Sequence, residues 1–237
     1  MTKSILYYTD SRLAGLRTKG WQNEEIEPWA QRQLIKSGLP IVNVSLKPMN
    51  FGNNIVLDLE PSIVTMTKQI LVGLETIDTD VVFFCEHDVL YPVCHFELEP
   101  ADKDTFYYNV NSWKWDYNTT RVVYYDDMVG LYGLCGYREK LLEHYKKKVT
   151  LIYERGYDKI PVSRNPLWAR TIGYEPGKPV RHGGVADEKV ELWRSKEPTI
   201  NIRHRRTTTP TKMNFEDFIR KPTGWKESTI DQIWKED

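Results

Sequence analysis

The segment from Val81 to Tyr91 constrains the fold more than any other stretch of this chain. Five uncharged residues, Val81-Val82-Phe83-Phe84-Cys85, run into Glu86-His87-Asp88 and then Val89-Leu90-Tyr91, with Pro92 closing the segment. An unbroken apolar run of this length reads as a strand covered on both faces, the kind found in the middle of a mostly parallel sheet. Carboxylates at the C-terminal end of such a strand stand where open α/β sheets bind ligands. Two carboxylates one residue apart can both reach a hard divalent cation where the strand opens into a turn, because oxygen donors suit Mg²⁺ or Mn²⁺. The same pair is compatible with capping the next element or lying in solvent.

The elements before this strand alternate. Ser4 to Tyr8 is a short apolar strand ending in Thr9-Asp10-Ser11, polar groups that suit either a ligand at the sheet edge or a helix N-cap. Glu24 to Ser37 carries Ile26, Trp29, Ala30 and Leu34 at helical spacing, and Gly38 closes it. Leu39 to Leu46 reads as a strand, 47–54 as a loop, and Ser62 to Thr76 as a second helix with Ile63, Met66, Ile70, Leu71 and Leu74 on one face. This β-α-β-α-β order predicts a parallel sheet.

Beyond the central strand the composition changes. Phe106 to Trp115 is rich in aromatics and Asn, suited to a ligand surface or to plain sheet packing, and Arg121 to Tyr125 is its antiparallel partner. Glycines at 130, 133 and 136 precede a helix at Arg138 to Lys148 and allow backbone to approach a ligand closely. The segment lacks the Lys-Ser/Thr ending of a phosphate loop. A later strand, Pro198 to Ile202, ends in Arg203-His204-Arg205-Arg206, a cluster that fits metal and phosphate binding or a solvated basic patch.

Charge separates along the chain. The 237 residues are neutral overall, yet 1–137 hold 18 acidic against 11 basic residues, net −7. Residues 138–212 hold 18 basic against 9 acidic, net +9, and the tail is −2. With 40% hydrophobic residues, the length suffices for one large domain with a substantial core. No apolar run approaches a membrane span, and the N-terminus lacks a signal peptide's apolar segment. Three cysteines without zinc-like spacing suggest reduced thiols in a cytoplasmic protein.

Several of these stretches carry a resemblance. Strand-Glu86-His87-Asp88 resembles the Asp-x-Asp-type motif of GT-A-fold glycosyltransferases. The order of parts is similar as well: a first strand with Tyr8-Thr9-Asp10, the acidic motif, a Gly-rich acceptor-side loop and a late His204. Ser45 to Gly52, Phe84 to Tyr91, Tyr174-Glu175-Pro176-Gly177 and Asn201 to His204 look like a group of small bacterial and phage glycosyltransferase-like proteins. The resemblance implies an α/β fold, a single GT-A-like (Rossmann-like) domain with a central mostly parallel sheet flanked by helices. It would span 1–212, with a nucleotide-sugar half to about residue 100 and an acceptor half to 212, and 213–237 would pack on it as a tail.

The resemblance also implies chemistry. Mn²⁺ or Mg²⁺ would be held by Asp88 and His204. Glu86, which stands where the motif has Asp, would be a further ligand or would hold ribose or a water. Tyr8, Thr9, Asp10, Arg203 and Arg206, with Arg205 an alternative to either arginine, would contact a nucleotide-diphosphate sugar, a UDP-sugar foremost. Glu175 and the pair Asp187-Glu188 are the candidate bases, with Asp126 and Asp127 a third option nearer the Gly loop, because the usual x-Glu-Asp motif has no clean match. The acceptor would be a hydroxyl, on a hydroxymethylated phage DNA base or on a surface glycan, and the setting the bacterial cytoplasm. A nucleotidyltransferase, or a non-catalytic nucleotide- or glycan-binding protein, fits the same residues.

Overall fold

A computed structural model describes residues 1–126, 128–160, 173–177, 188–207 and 212–236. In chain order the first elements are β1 (Lys3–Thr9), α1 (Ile26–Lys36), β2 (Ile41–Ser45), β3 (Asn53–Val56), α2 (Ile63–Thr76), β4 (Val81–Glu86) and β5 (Val89–Leu90). There follow β6 (Thr105–Asn109), β7 (Ser112–Asp116), β8 (Arg121–Tyr124), β9 (Leu134–Tyr137) and α3 (Arg138–Glu154). The last are β10 (Lys189–Trp193), β11 (Thr199–Arg203), β12 (Lys226–Thr229) and α4 (Ile230–Ile233).

Seven strands form one sheet in the order β10-β6-β9-β4-β1-β2-β3, parallel except at β9. The fold is thus α/β, with a mostly parallel central sheet flanked by helices. Successive side chains of β4 go to opposite faces, and both faces are covered. Val82 and Phe84 enter a core with Leu6, Val44, Ile70, Leu74 and Tyr145, beneath α2 and α3. Val81, Phe83 and Cys85 enter a second core with Ile5, Tyr7, Leu34 and Phe96. Each fully buried Phe here contributes roughly 1.5–3 kcal/mol, which is why this run carries no charge.

Local chemistry places α2. The Ser62 side chain accepts the Thr65 N–H at 2.9 Å as its N-cap. Gly73 lets the helix lie against β1, since a Cβ there would fall 2.2 Å from Leu6 Cδ1. The buried Gln69 amide donates to the carbonyls of Thr9 and Val44, both at 2.8 Å, and ties the ends of β1 and β2 together.

A second sheet, β12-β8-β7-β11-β5, stands beside the C-terminal ends of β1 and β4. β7 and β8 pair antiparallel, as the sequence predicts. The aromatic stretch 106–115 is not one strand, however. It leaves the large sheet after Asn109 and joins the second sheet at Ser112. Buried Asn109 fixes that transfer: its amide donates to His95 Nδ1 (2.9 Å) and Ser195 Oγ (2.8 Å), and its Oδ1 accepts the Asn111 N–H (2.9 Å). Likewise, residues 53–56, partly read as loop, form the edge strand β3. The glycine-rich segment supplies β9, and at Gly133 the close approach is to backbone: a Cβ would fall 2.7 Å from the Asn109 carbonyl oxygen.

Residues 226–234 complete the second sheet through β12 and bury Ile230 and Trp234 in a third core with Trp29 and Trp115. Among the described residues, no helix is long and apolar enough to cross a membrane.

Candidate functional site

The parallel register of β1 and β4 sets Tyr8 beside Glu86 at the C-terminal edge of the large sheet. The Tyr8 hydroxyl donates to Glu86 Oε1 at 2.8 Å, and the Glu86 N–H donates to the Tyr91 hydroxyl at 3.0 Å. Burial, and then the negative charge of Asp88, push the Glu86 carboxyl up to about 7. Immediately afterwards β4 ends and the chain turns through His87 and Asp88 into β5. That turn is fastened to β11, where the Ile202 N–H donates to the Asp88 carbonyl at 2.8 Å.

The same pairing carries His204 to the site. Its Nε2 lies 3.2 Å from Asp88 Oδ2, and both residues are buried. His204 Nδ1 accepts the Arg206 N–H at 3.1 Å, so the ring's proton sits on Nε2 and is donated to Asp88. Burial alone would raise the Asp88 carboxyl. The His204 hydrogen bond, helped by the nearby Arg203 guanidinium, outweighs it and holds the group below the usual carboxylate range. His87 Nδ1 is buried and has no hydrogen-bond partner. One ligand atom each from His87, Asp88 and His204 falls within 4.8 Å of the others.

These residues fit a divalent cation. An orphaned imidazole nitrogen and an ionised buried carboxylate are the donors such an ion requires, and both stand ready in His87 and Asp88. His204 orients Asp88 in the arrangement seen. For it to become a ligand, its Nε2 proton must move to Nδ1 and the Arg206 N–H must turn away.

The cluster lies on a cleft of about 950 Å³ between the two sheets. Tyr8, Thr9, Asp10, Glu86, Asp88, Glu175, Arg203, His204 and Arg206 all line it. Glu86 is outside the ligand trio, with one oxygen engaged by Tyr8. Thr9 directs its hydroxyl inward to Glu27 Oε1 at 2.9 Å. Asp10 pairs with Arg12, and Arg206 donates to the Arg12 carbonyl. Glu175 sits on 173–177, which is pinned by Lys148 Nζ to the Tyr174 carbonyl (3.0 Å) and by the Tyr108 hydroxyl to the Pro176 carbonyl (2.7 Å). Arg205 is exposed, and Asp127 and Asp187 lie outside the described residues.

Sequence reasoning passed over two lining residues. His87 was the spacer of the Glu-x-Asp pair, and only its interruption of a carboxylate motif marks it. Lys114 lines the cleft from β7, where burial, with Arg203 and Lys212 beside it, pushes its ammonium down to about 8. A lone charge between Trp113 and Trp115 was its signal.

No family model matches this sequence, and no curated protein does. Among solved structures, the chain is similar to a nucleotidyl transferase from Methanothermobacter thermautotroptrophicus, at 11% identity and a TM-score of 0.39, over 65% of this chain and 83% of that one. It is similar to the bifunctional IspDF from Campylobacter jejuni at 11% identity and TM-score 0.42, over 83% of this chain and 50% of that one. It is similar to the apo-form glycosyltransferase GlyE of Streptococcus pneumoniae TIGR4 at 14% identity and TM-score 0.35, over 68% of this chain and 40% of that one. Likenesses this distant carry no argument about the reaction, which must come from the site.

Proposed function

We propose that this chain is a metal-dependent glycosyltransferase that moves a sugar from a nucleotide-diphosphate sugar, a UDP-sugar foremost, to an acceptor hydroxyl. The observation that carries this reading is the His87, Asp88 and His204 cluster, within 4.8 Å, on a cleft also lined by Lys114, Arg203 and Arg206. A bound divalent ion would neutralise charge on the leaving nucleotide diphosphate. Two imidazoles beside one carboxylate favour Mn²⁺ over Mg²⁺, which prefers all-oxygen surroundings.

The chain's own residues divide the remaining work. Arg203, Arg206 and Lys114 supply positive charge for the diphosphate oxygens. Tyr8 holds Glu86, and the pair forms the floor beside the metal ligands. Glu175 is the base we assign, taking the proton of the acceptor hydroxyl as that oxygen attacks the anomeric carbon. In this reading 1–212 is the catalytic unit, 213–237 packs on it, and the setting is cytoplasmic.

The test is product analysis with Mn²⁺ and a panel of UDP-sugars and other nucleotide-diphosphate sugars. Release of nucleoside diphosphate, lost in Asp88→Asn, is the expected result. Pyrophosphate released from a nucleoside triphosphate and a sugar phosphate would make the chain a nucleotidyltransferase instead. Donor binding with no turnover on any acceptor would leave a binding protein.

A further inference from the structure

The second sheet has one face on the cleft and another behind it. Lys114, Tyr125 and Asn201 line the cleft. Residues next to these in sequence point the other way. On that reverse face, Ile202, Trp115 and Val122 form a cross-strand row that is fully buried against Trp29 and its neighbours. The next row is Ile200, Trp113, Tyr124 and Lys226, and here the cover is partial, with Ile200 and Tyr124 still buried. Trp113 is half-buried and Lys226 is exposed.

What stands in place of cover is an open pocket of about 340 Å³. The Trp113 and Tyr124 rings lie 5.5 Å apart between centroids. The Arg194 guanidinium and the Lys226 ammonium stand 5.6 and 5.5 Å from the Tyr124 centroid. Asp126 and Asn111 complete the lining, and Asp126 Oδ1 accepts the Tyr124 hydroxyl at 3.1 Å. Gly224, at φ +65°, makes room for that carboxylate, because a Cβ there would fall 2.4 Å from it. None of these residues takes part in the proposed transfer reaction.

We infer that this pocket is a second ligand site, on the reverse face of the cleft wall, for an acidic saccharide. A half-buried indole offers a flat apolar surface to the C–H face of a pyranose ring. Asp126 and Asn111 offer acceptors and a donor to sugar hydroxyls. Among the described lining residues Arg194 and Lys226 outnumber the one carboxylate, Asp126, so this lining is net positive and favours a sugar bearing a carboxylate group. This site stands independently of the metal centre.

Native gel electrophoresis in gels cast with polygalacturonate or with dextran tests it. Polygalacturonate is expected to retard the wild-type protein and dextran to retard it much less. Trp113→Ala and Arg194→Gln should each weaken retardation about tenfold or more, as loss of an anchoring contact does. Arg194 is exposed, so its variant keeps the test valid if Trp113→Ala unfolds. Arg203→Gln, in the cleft, should retard like wild type. The inference fails if polygalacturonate causes no retardation, if dextran retards equally, or if Arg203→Gln abolishes binding while Arg194→Gln leaves it intact. Asp88→Asn should bind polygalacturonate normally whether or not it transfers sugar, which separates this site from the metal reading.

Discussion

His204 Nε2 and Asp88 Oδ2 meet at 3.2 Å although 116 residues separate them in the chain. The contact exists because β11 runs antiparallel to the two-residue strand β5, with Asn201 opposite Val89. One sheet thus completes a cluster that begins at the edge of the other. Asp88 accepts a hydrogen bond from His204 Nε2 and is held ionised, while His87 keeps a buried nitrogen without a partner.

The size of each variant's loss assigns the donors. Asp88→Asn removes the only carboxylate of the trio and should weaken Mn²⁺ binding by more than about 100-fold with the fold retained. If His204 only orients Asp88, His204→Gln should cost roughly 10–100-fold, the range typical of outer partners. Isothermal titration with Mn²⁺, with circular dichroism as the check on folding, reads both. Unchanged Mn²⁺ affinity in Asp88→Asn would remove the metal assignment.

Gly133→Ala should lower stability by about 1–3 kcal/mol, the usual cost of overpacking. Its Cβ would press on the Asn109 carbonyl oxygen at 2.7 Å, which is backbone and cannot swing aside. Gly136→Ala should cost less, because its nearest contact would be 3.6 Å. Urea unfolding of the pair measures the difference. Equal midpoints would mean that the Asn109 crossing tolerates a shift.

The first half of the fold was legible because each element there keeps one period. β1, α1, β2, α2 and β4 each match an apolar pattern of 2, 3.6 or an unbroken run. The 106–115 stretch was not, since alternation continues smoothly while the strand changes sheets, and only the tertiary contacts of Asn109 reveal the break. Edge strand β3 was hidden by polar residues, among them Asn54, whose amide binds Ser45 Oγ at 2.8 Å. At the site, Asp88 was marked by the acidic motif and His204 by the resemblance, and the structure sets the two side by side. His87 was marked by neither, because its role depends on the strand ending at Glu86, where the turn replaces strict alternation and lets adjacent residues reach one point.

Acid should destabilise the protein partly through His95. Burial pushes this imidazole down to about 3 from an ordinary 6.5, and its Nδ1 accepts from Asn109, so the fold holds it neutral. The unfolded chain then binds a proton that the folded chain refuses. Stability from this group is fully present above pH 6.5 and is lost as pH falls toward 3, by on the order of a few kcal/mol. Glu86 acts with the opposite sign in part of that window, since its raised carboxyl takes up a proton first in the folded state. Comparing wild type with His95→Phe cancels Glu86 and every other shared group. The variant should start less stable at pH 7 and show a shallower decline down to pH 4. Parallel curves would mean that His95 titrates normally.

The base is the finest assignment, and Glu175 lines the cleft among the described residues. Lys148, buried and 3.0 Å from the Tyr174 carbonyl, holds the segment that presents it. Removing a general base costs transition-state stabilisation and leaves ground-state binding alone. Glu175→Gln should therefore lower kcat by roughly 10²–10⁴-fold with donor affinity nearly unchanged. Lys148→Met should lower kcat by a smaller factor, because the carboxylate survives but loses its fixed position. Asp187→Asn and Asp127→Asn, made in parallel, test the other candidates, and both should keep more activity than Glu175→Gln if Glu175 is the base. A large kcat loss in either of those two, with Glu175→Gln active, would transfer the base to that residue. Donor binding lost in Glu175→Gln would show that Glu175 holds substrate and does not move the proton.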